Sequence, residues 1–230
     1  MAQTVRKHAL IIVDLQKDFL PGGALGVPGG DKAVPVIRAV LEDHPWDCVV
    51  MTQDWHPTGH VSFAVNHEGK HVLDVVDLPY GPQMLWPVHC VEGTEGAEIE
   101  GVDVAKADIV LRKGREVNID SYSAFCAADN ETKTGLAGFL RERGITDVWV
   151  CGLALDYCVS FTAIDAAIRC ASPRRRPPEP QPMTRRGRSQ TSGSSTSSAR
   201  HRSMHARRQA ASALARLPLA SMAAEASVTT

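Results

Sequence analysis

The chain has 230 residues, enough for one α/β domain, or one domain with a tail. Its near-neutral balance hides a split: residues 1–170 carry 14 Lys and Arg against 24 Asp and Glu, while residues 171–230 carry 11 Arg, no Lys and 2 Glu. No run is long enough to span a membrane, the short apolar run before Asp14 does not read as a leader, and the six cysteines lack CxxC or zinc-finger spacing, so they read as reduced thiols of a cytoplasmic protein.

The segment from His8 to Val13 is apolar on both faces, as a central parallel strand is, and it stops at Asp14. In an open α/β sheet, ligands gather at the carboxyl ends of the strands, which puts Asp14 where chemistry occurs. Asp18 reads instead as a loop or capping residue before the Pro- and Gly-rich stretch 21–30. Asp31 is a candidate N-cap for a helix through about His44, with Val34, Ile37, Val40 and Leu41 on its inner face.

A second strand, from Asp47 to Thr52, ends in Gln53-Asp54-Trp55-His56-Pro57. Asp54 and His56 are two apart, so in extended chain both side chains share a face. A carboxylate and an imidazole there make half of a divalent-metal site. The third ligand has to come from elsewhere, and His60, His67, His71 and His89 are candidates. His89 sits in the rigid context Leu85-Trp86-Pro87-Val88-His89-Cys90; the other three lie in a polar stretch and read as solvated, with His60 near enough to compete.

Residues 57–105 form a long connection with little periodicity, whose Trp, Pro, Tyr and His content suits an ordered loop at a site. Asp108 to Arg112 is a third strand, delivering Lys113 to its carboxyl end. A helix from Gly135 to Arg143 precedes a fourth strand, Thr146 to Cys151. Cys158 follows in Gly152-Leu153-Ala154-Leu155-Asp156-Tyr157-Cys158-Val159, where a strand gives way to a helix marked by Val159, Thr162, Ala163, Ala166 and Ala167. A helix N-terminus lowers a thiol's pKa and stabilises a developing oxyanion. The plain alternative is a buried structural cysteine. Strands alternating with helices or long crossovers predict a three-layer αβα fold with a parallel, doubly wound sheet, which brings Asp14, Lys113 and Cys158 to one edge.

With these motifs the chain resembles the nicotinamidases, within the cysteine hydrolases related to isochorismatase. The carrying residues are Val13-Asp14-Leu15-Gln16-Lys17-Asp18-Phe19, Asp54-Trp55-His56-Pro57, Trp86-Pro87-Val88-His89-Cys90, Arg112-Lys113-Gly114 and the stretch around Cys158, all within residues 1–170. The resemblance implies Cys158 as nucleophile, Asp14 as general base and Lys113 as the third member of a triad. It implies Asp54, His56 and His89 as ligands of one divalent ion, Zn, Fe or Mn. It implies a cis bond between Leu153 and Ala154, which would aim the Ala154 and Cys158 N–H groups at an oxyanion. Phe19, Trp86 and Tyr122 match substrate-pocket positions. Leu155 replaces the threonine more usual there. The implied reaction is hydrolysis of nicotinamide, with pyrazinamide as an analogue, in NAD salvage, and a homo-oligomer is compatible with it.

Past Cys170 the resemblance ends. Pro177 and Pro178 forbid a central strand, so the last strand and helix of the family are expected to be missing, leaving a sheet edge unpaired and the body marginal. Residues 171–202 are expected to lack regular structure, and 203–216 to form an Ala- and Arg-rich helix. Arg, Pro, Ser and Ala without Lys is also what GC-rich codons give in a shifted reading frame. Two rival readings follow: a metal-free cysteine hydrolase of the same superfamily, or an inactive fold whose basic tail binds nucleic acid. The lack of interleaved aromatics in the tail disfavours the latter.

Overall fold

The computed structural model describes residues 6–169 and 226–229. In chain order these give strand β1 (His8–Val13), helix α1 (Ala33–Asp43), β2 (Cys48–Asp54), β3 (Val75–Leu78), β4 (Gly81–Met84), β5 (Ile109–Lys113), α2 (Leu136–Glu142), β6 (Asp147–Gly152), α3 (Ser160–Arg169) and β7 (Ala226–Thr229). The main sheet runs β5-β2-β1-β6-β7, with β1, β2, β5 and β6 mutually parallel.

β1 is the axis, because its alternate residues serve two cores. Ala9, Ile11 and Val13 pack with Leu136, Leu140, Val159 and Ala166 of the face that α2 and α3 cover. Leu10 and Ile12 pack with Ala33, Ile37 and Leu41 of α1 on the other. Both faces are therefore apolar, which is why the strand reads as an unbroken hydrophobic run. The three layers match the fold class expected from the sequence.

Four local differences have physical causes. Asp31 does not cap α1: a short 3-10 turn, Gly30–Lys32, comes first and the cap position falls on Lys32. The polar stretch before β5 contains an antiparallel ribbon, β3 with β4, of four residues a strand, too short for alternation to declare it. The transition after β6 is not directly α-helical, for a π turn over Leu155–Val159 intervenes before α3. Such turns recur at functional sites.

The fourth concerns the sheet edge. The outer side of β6 is not left unpaired: β7 joins it antiparallel, with Asp147 opposite Thr229 and Val150 opposite Ala226. An open edge offers a row of N–H and C=O groups that any extended, β-branched segment can satisfy. Residues 171–202 and 203–216, with the nucleic-acid and reading-frame expectations attached to them, lie outside the described residues.

Gly152 closes β6 with φ +127°, and a Cβ there would overlap the carbonyl oxygen of Val13. Only glycine lets the two strand ends meet so closely just before the segment that carries Cys158.

Candidate active site

Four strand ends converge. Asp14 follows β1, Asp54 ends β2, Lys113 ends β5, and Cys158 lies in the π turn after β6. All four are buried. Asp14 takes a left-handed backbone at φ +46°, a conformation Asp tolerates better than most residues. Its N–H donates to Thr52 Oγ1 at 3.1 Å, and the Thr52 hydroxyl donates to Asp14 Oδ1 at 2.5 Å. The other oxygen, Oδ2, lies 2.8 Å from Lys113 Nζ but accepts no aligned hydrogen bond. That oxygen is the one open to a proton.

The Lys113 ammonium is the hub. It donates to Asp54 Oδ1, to the carbonyl of Ser121 at 2.9 Å and to Cys158 Sγ at 3.4 Å. Burial works against its charge, but Asp14 and Asp54 outweigh burial and hold its pKa well above the ordinary lysine value. One ammonium cannot neutralise two carboxylates and a thiolate in a buried site. Asp54 keeps its charge: burial opposes ionisation, yet Lys113 and His56 hold its carboxyl well below the usual range. Burial raises Asp14 despite Lys113, and raises Cys158 well above an ordinary thiol, with Asp14 and Asp54 adding to it.

This corrects the expectation of a depressed thiol pKa. Burial and two carboxylates prevail over Lys113, which favours the neutral thiol beside Asp14. A group with a raised pKa stays protonated through neutral pH, so Cys158 should react slowly with iodoacetamide at pH 7, and faster only as pH rises past that of a free cysteine. A rate profile with its midpoint below the free-thiol value would contradict this assignment.

Beside the triad, Asp54, His56 and His89 bring one oxygen and two nitrogens within 4.8 Å of one another. Asp54 Oδ2 is 3.7 Å from His56 Nε2 and 4.0 Å from His89 Nε2. His56 Nδ1 is 2.8 Å from the carbonyl of Gly114, and His89 Nδ1 is 2.8 Å from that of Pro87. With each Nδ1 held by a carbonyl, Nε2 is the nitrogen turned toward Asp54 and the one that would ligate an ion, the arrangement of ligating imidazoles. Gly114, at φ +67°, permits this approach, since a Cβ would overlap the His56 ring.

His60 is not solvated, contrary to the sequence reading. It is fully buried and stacks on His56 with ring centroids 4.1 Å apart. It also converges with His56 and Asp120. Its nitrogens, however, already face Ser62 Oγ at 2.7 Å and the carbonyl of Ile119 at 3.3 Å. Burial and His56 push its pKa down to about 4, so the ring is neutral. His67 is half-buried, bonding through Nε2 to the carbonyl of Val61, and His71 is exposed.

The Leu153–Ala154 bond is cis, as the resemblance implied. The Ala154 carbonyl accepts the N–H groups of Tyr157 and Val159, at 3.1 and 3.2 Å, which fixes the turn bearing Cys158. Of the three pocket candidates, Phe19 packs against His89 with ring centroids 5.6 Å apart. Trp86 and Tyr122 are brought together, Trp86 Nε1 donating to Tyr122 Oη at 3.0 Å. Tyr157, which the sequence reading did not single out, completes that wall, 4.9 Å from Trp86 and 5.4 Å from Tyr122 between centroids. Thr52 was also missed; its signal was a hydroxyl directly after the apolar run 48–51.

The isochorismatase domain model matches residues 8–169. The chain therefore belongs to the isochorismatase family. A nicotinamidase of Acinetobacter baylyi is 54% identical over 160 residues, which span 69% of this chain and 74% of the relative. A solved nicotinamidase/pyrazinamidase of Acinetobacter baumannii superposes with a TM-score of 0.69 at 46% identity, covering 73% of this chain and 80% of that one. A pyrazinamidase of Pyrococcus horikoshii, solved in complex with zinc, gives 0.57 at 37% identity, covering 71% and 79%. Within its family the chain groups with the nicotinamidases, and it is an amide hydrolase. Among the described residues, no helix is long and apolar enough to cross a membrane.

Proposed function

We propose that this chain hydrolyses nicotinamide to nicotinate and ammonia through a cysteine thioester, as a cytoplasmic enzyme of NAD salvage. The observation that carries the reading is the contact of Lys113 with Asp14, Asp54 and Cys158 at once, which sets a nucleophile and its base against a three-ligand pocket.

The Cys158 thiol gives its proton to Asp14 Oδ2 as sulfur attacks the carboxamide carbon. Transferring the proton during attack suits a pair whose pKa values are both raised. Lys113 steadies the sulfur's developing negative charge. The N–H groups of Ala154 and Cys158 hold the tetrahedral oxyanion, the kind of contact whose removal typically costs about 100- to 1,000-fold in rate. As the intermediate collapses the C–N bond breaks, and ammonia leaves with the proton from Asp14. Water then adds to the thioester with Asp14 taking its proton, the C–S bond breaks, and that proton returns to sulfur. The product acid is released.

Asp54, His56 and His89 suit one divalent ion: a carboxylate and two imidazoles, each ring with its Nε2 turned toward Asp54. Zinc in the Pyrococcus horikoshii relative supports the assignment; Fe and Mn fit the same donors. Such an ion would supply a Lewis-acid contact for the pyridine nitrogen of the substrate. Phe19, Trp86 and Tyr122 would flank the ring, and a ring of pyrazinamide type fits the same place.

The test is ammonia release from nicotinamide before and after chelation. Activity should fall to background with a chelator and return with added Zn, Fe or Mn. Turnover that survives exhaustive chelation would favour a metal-free cysteine hydrolase acting on another amide.

A further inference from the structure

The segment after β1 serves the chemistry three times at a spacing of two. Asp14 faces the thiol. Gln16, fully buried, reaches Asp54, and Asp18 reaches the loop that carries His89.

Gln16 replaces a missing piece of β-ladder. Between β1 and β2 the ladder runs up to the pairing of Ile12 with Met51, whereas β2 continues to Asp54. Asp54 is opposite Lys113 on its other side, and its own peptide groups face the gap left by β1. The Gln16 side chain fills that gap as a peptide would: Oε1 accepts the Asp54 N–H at 2.8 Å, and Nε2 donates to the Asp54 carbonyl at 2.8 Å. Nε2 also donates to the carbonyl of Ala97 at 2.9 Å, which itself accepts from Gln53 Nε2 at 2.8 Å.

Asp18 does the matching work on the other half. Its Oδ2 accepts the N–H of Cys90, the residue after His89, at 2.7 Å across 72 positions of sequence. Cys90 has φ +45°, so the chain turns sharply just past the histidine, and the carboxylate holds that turn. Asp18 Oδ1 accepts the Ala24 N–H at 3.3 Å, tying the carboxylate to its own loop. Gly96 packs over it so closely that a Cβ there would overlap the carboxylate.

We infer that Gln16 and Asp18 are positioning residues for the metal centre, one segment setting Asp54 on β2 and His89 on a distant loop at the separation that lets them share an ion. Neither belongs to the three-ligand set; both act through the backbone of a ligand or of its neighbour. This rests on Asp54, His56 and His89 being the metal ligands.

The experiment measures zinc affinity of the full chain by competition with a chromophoric chelator, alongside far-UV circular dichroism. Wild type must first bind one zinc; if it binds none, the ligand assignment fails, not this inference. Given binding, Gln16→Met, which keeps length and loses the amide, and Asp18→Ala should each weaken zinc by about 10- to 100-fold, the range for partners that orient ligands, with an unchanged spectrum. Asp18→Asn keeps an acceptor for the Cys90 N–H and should recover most of the affinity. Wild-type affinity in a folded Gln16→Met and a folded Asp18→Ala overturns the inference. So does an Asp18→Asn as weak as Asp18→Ala, since then charge and not the hydrogen bond matters. Should Gln16→Met fail to fold, the Asp18 pair decides alone.

Discussion

Replacing Cys158 with alanine is expected to take ammonia release from nicotinamide down to background, a loss of at least about 10⁴-fold, because a nucleophile knocked out of a cooperating triad removes the covalent route altogether. Among the described residues the neighbouring hydroxyls and thiols are otherwise engaged. The Thr52 hydroxyl is fully buried and committed to Asp14 Oδ1. Cys90 and Cys151 belong to the core cluster on the α1 side of the sheet. The same variant should bind its metal as wild type does, since Cys158 is not one of the three proposed ligands. Ammonia release by a coupled assay and metal content by elemental analysis read the two effects separately. Residual turnover within tenfold of wild type would remove Cys158 from the role of nucleophile.

His89→Ala should be as severe by a different route. It removes the ligand that comes from a distant loop, leaving Asp54 at the end of β2 and His56 two residues beyond it. Two donors hold a divalent ion far less well than three, so metal should be lost on dialysis and activity should fall at least 100-fold, about 2.7 kcal/mol of transition-state stabilisation. Added metal at high concentration should restore only part of it. The rival for the vacated position is His60, already stacked on His56 and close to Asp120. It would have to break with Ser62 and Ile119 to ligate. A His89→Ala protein that keeps one tightly held ion through dialysis would show that His60 makes that change, and that the third ligand was wrongly assigned.

The fold was legible wherever a segment is buried on both sides. The apolar run from His8 to Val13, and the runs leading to Asp54 and Cys151, could be central strands and little else, and each ends where an ionisable residue emerges. Asp14 and Cys158 were therefore readable as neighbours from strand ends alone, and Lys113 joined them through the shorter, half-exposed strand β5. Choosing His89 over His60, His67 and His71 was not possible from spacing; it came from the resemblance, and the convergence of His89 with Asp54 and His56 is what supports the proposal. The buried state of His60 was invisible because its partners, Ser62 and the Ile119 carbonyl, are contributed by two separate loops. The thiol's pKa was misjudged because a helix terminus and a lysine are visible in a sequence, whereas full burial beside a second carboxylate is not. β7 was missed because four residues far from the rest of the sheet carry no periodic signal.

The raised pKa of Cys158 bears on how the protein withstands oxidants. Sulfenic acid forms from the thiolate, and conversion beyond it to sulfinic acid is seldom reversed. A nucleophile kept as a permanent thiolate would be spent on peroxide and stray electrophiles between turnovers. Here Cys158 is 5% exposed and its pKa is raised by burial, so in the proposed mechanism it would keep its proton until a carboxamide accepts attack while Asp14 accepts the hydrogen. Under the proposed mechanism reactivity is conditional on occupancy: the carboxamide to be cleaved would complete the circuit that makes sulfur nucleophilic.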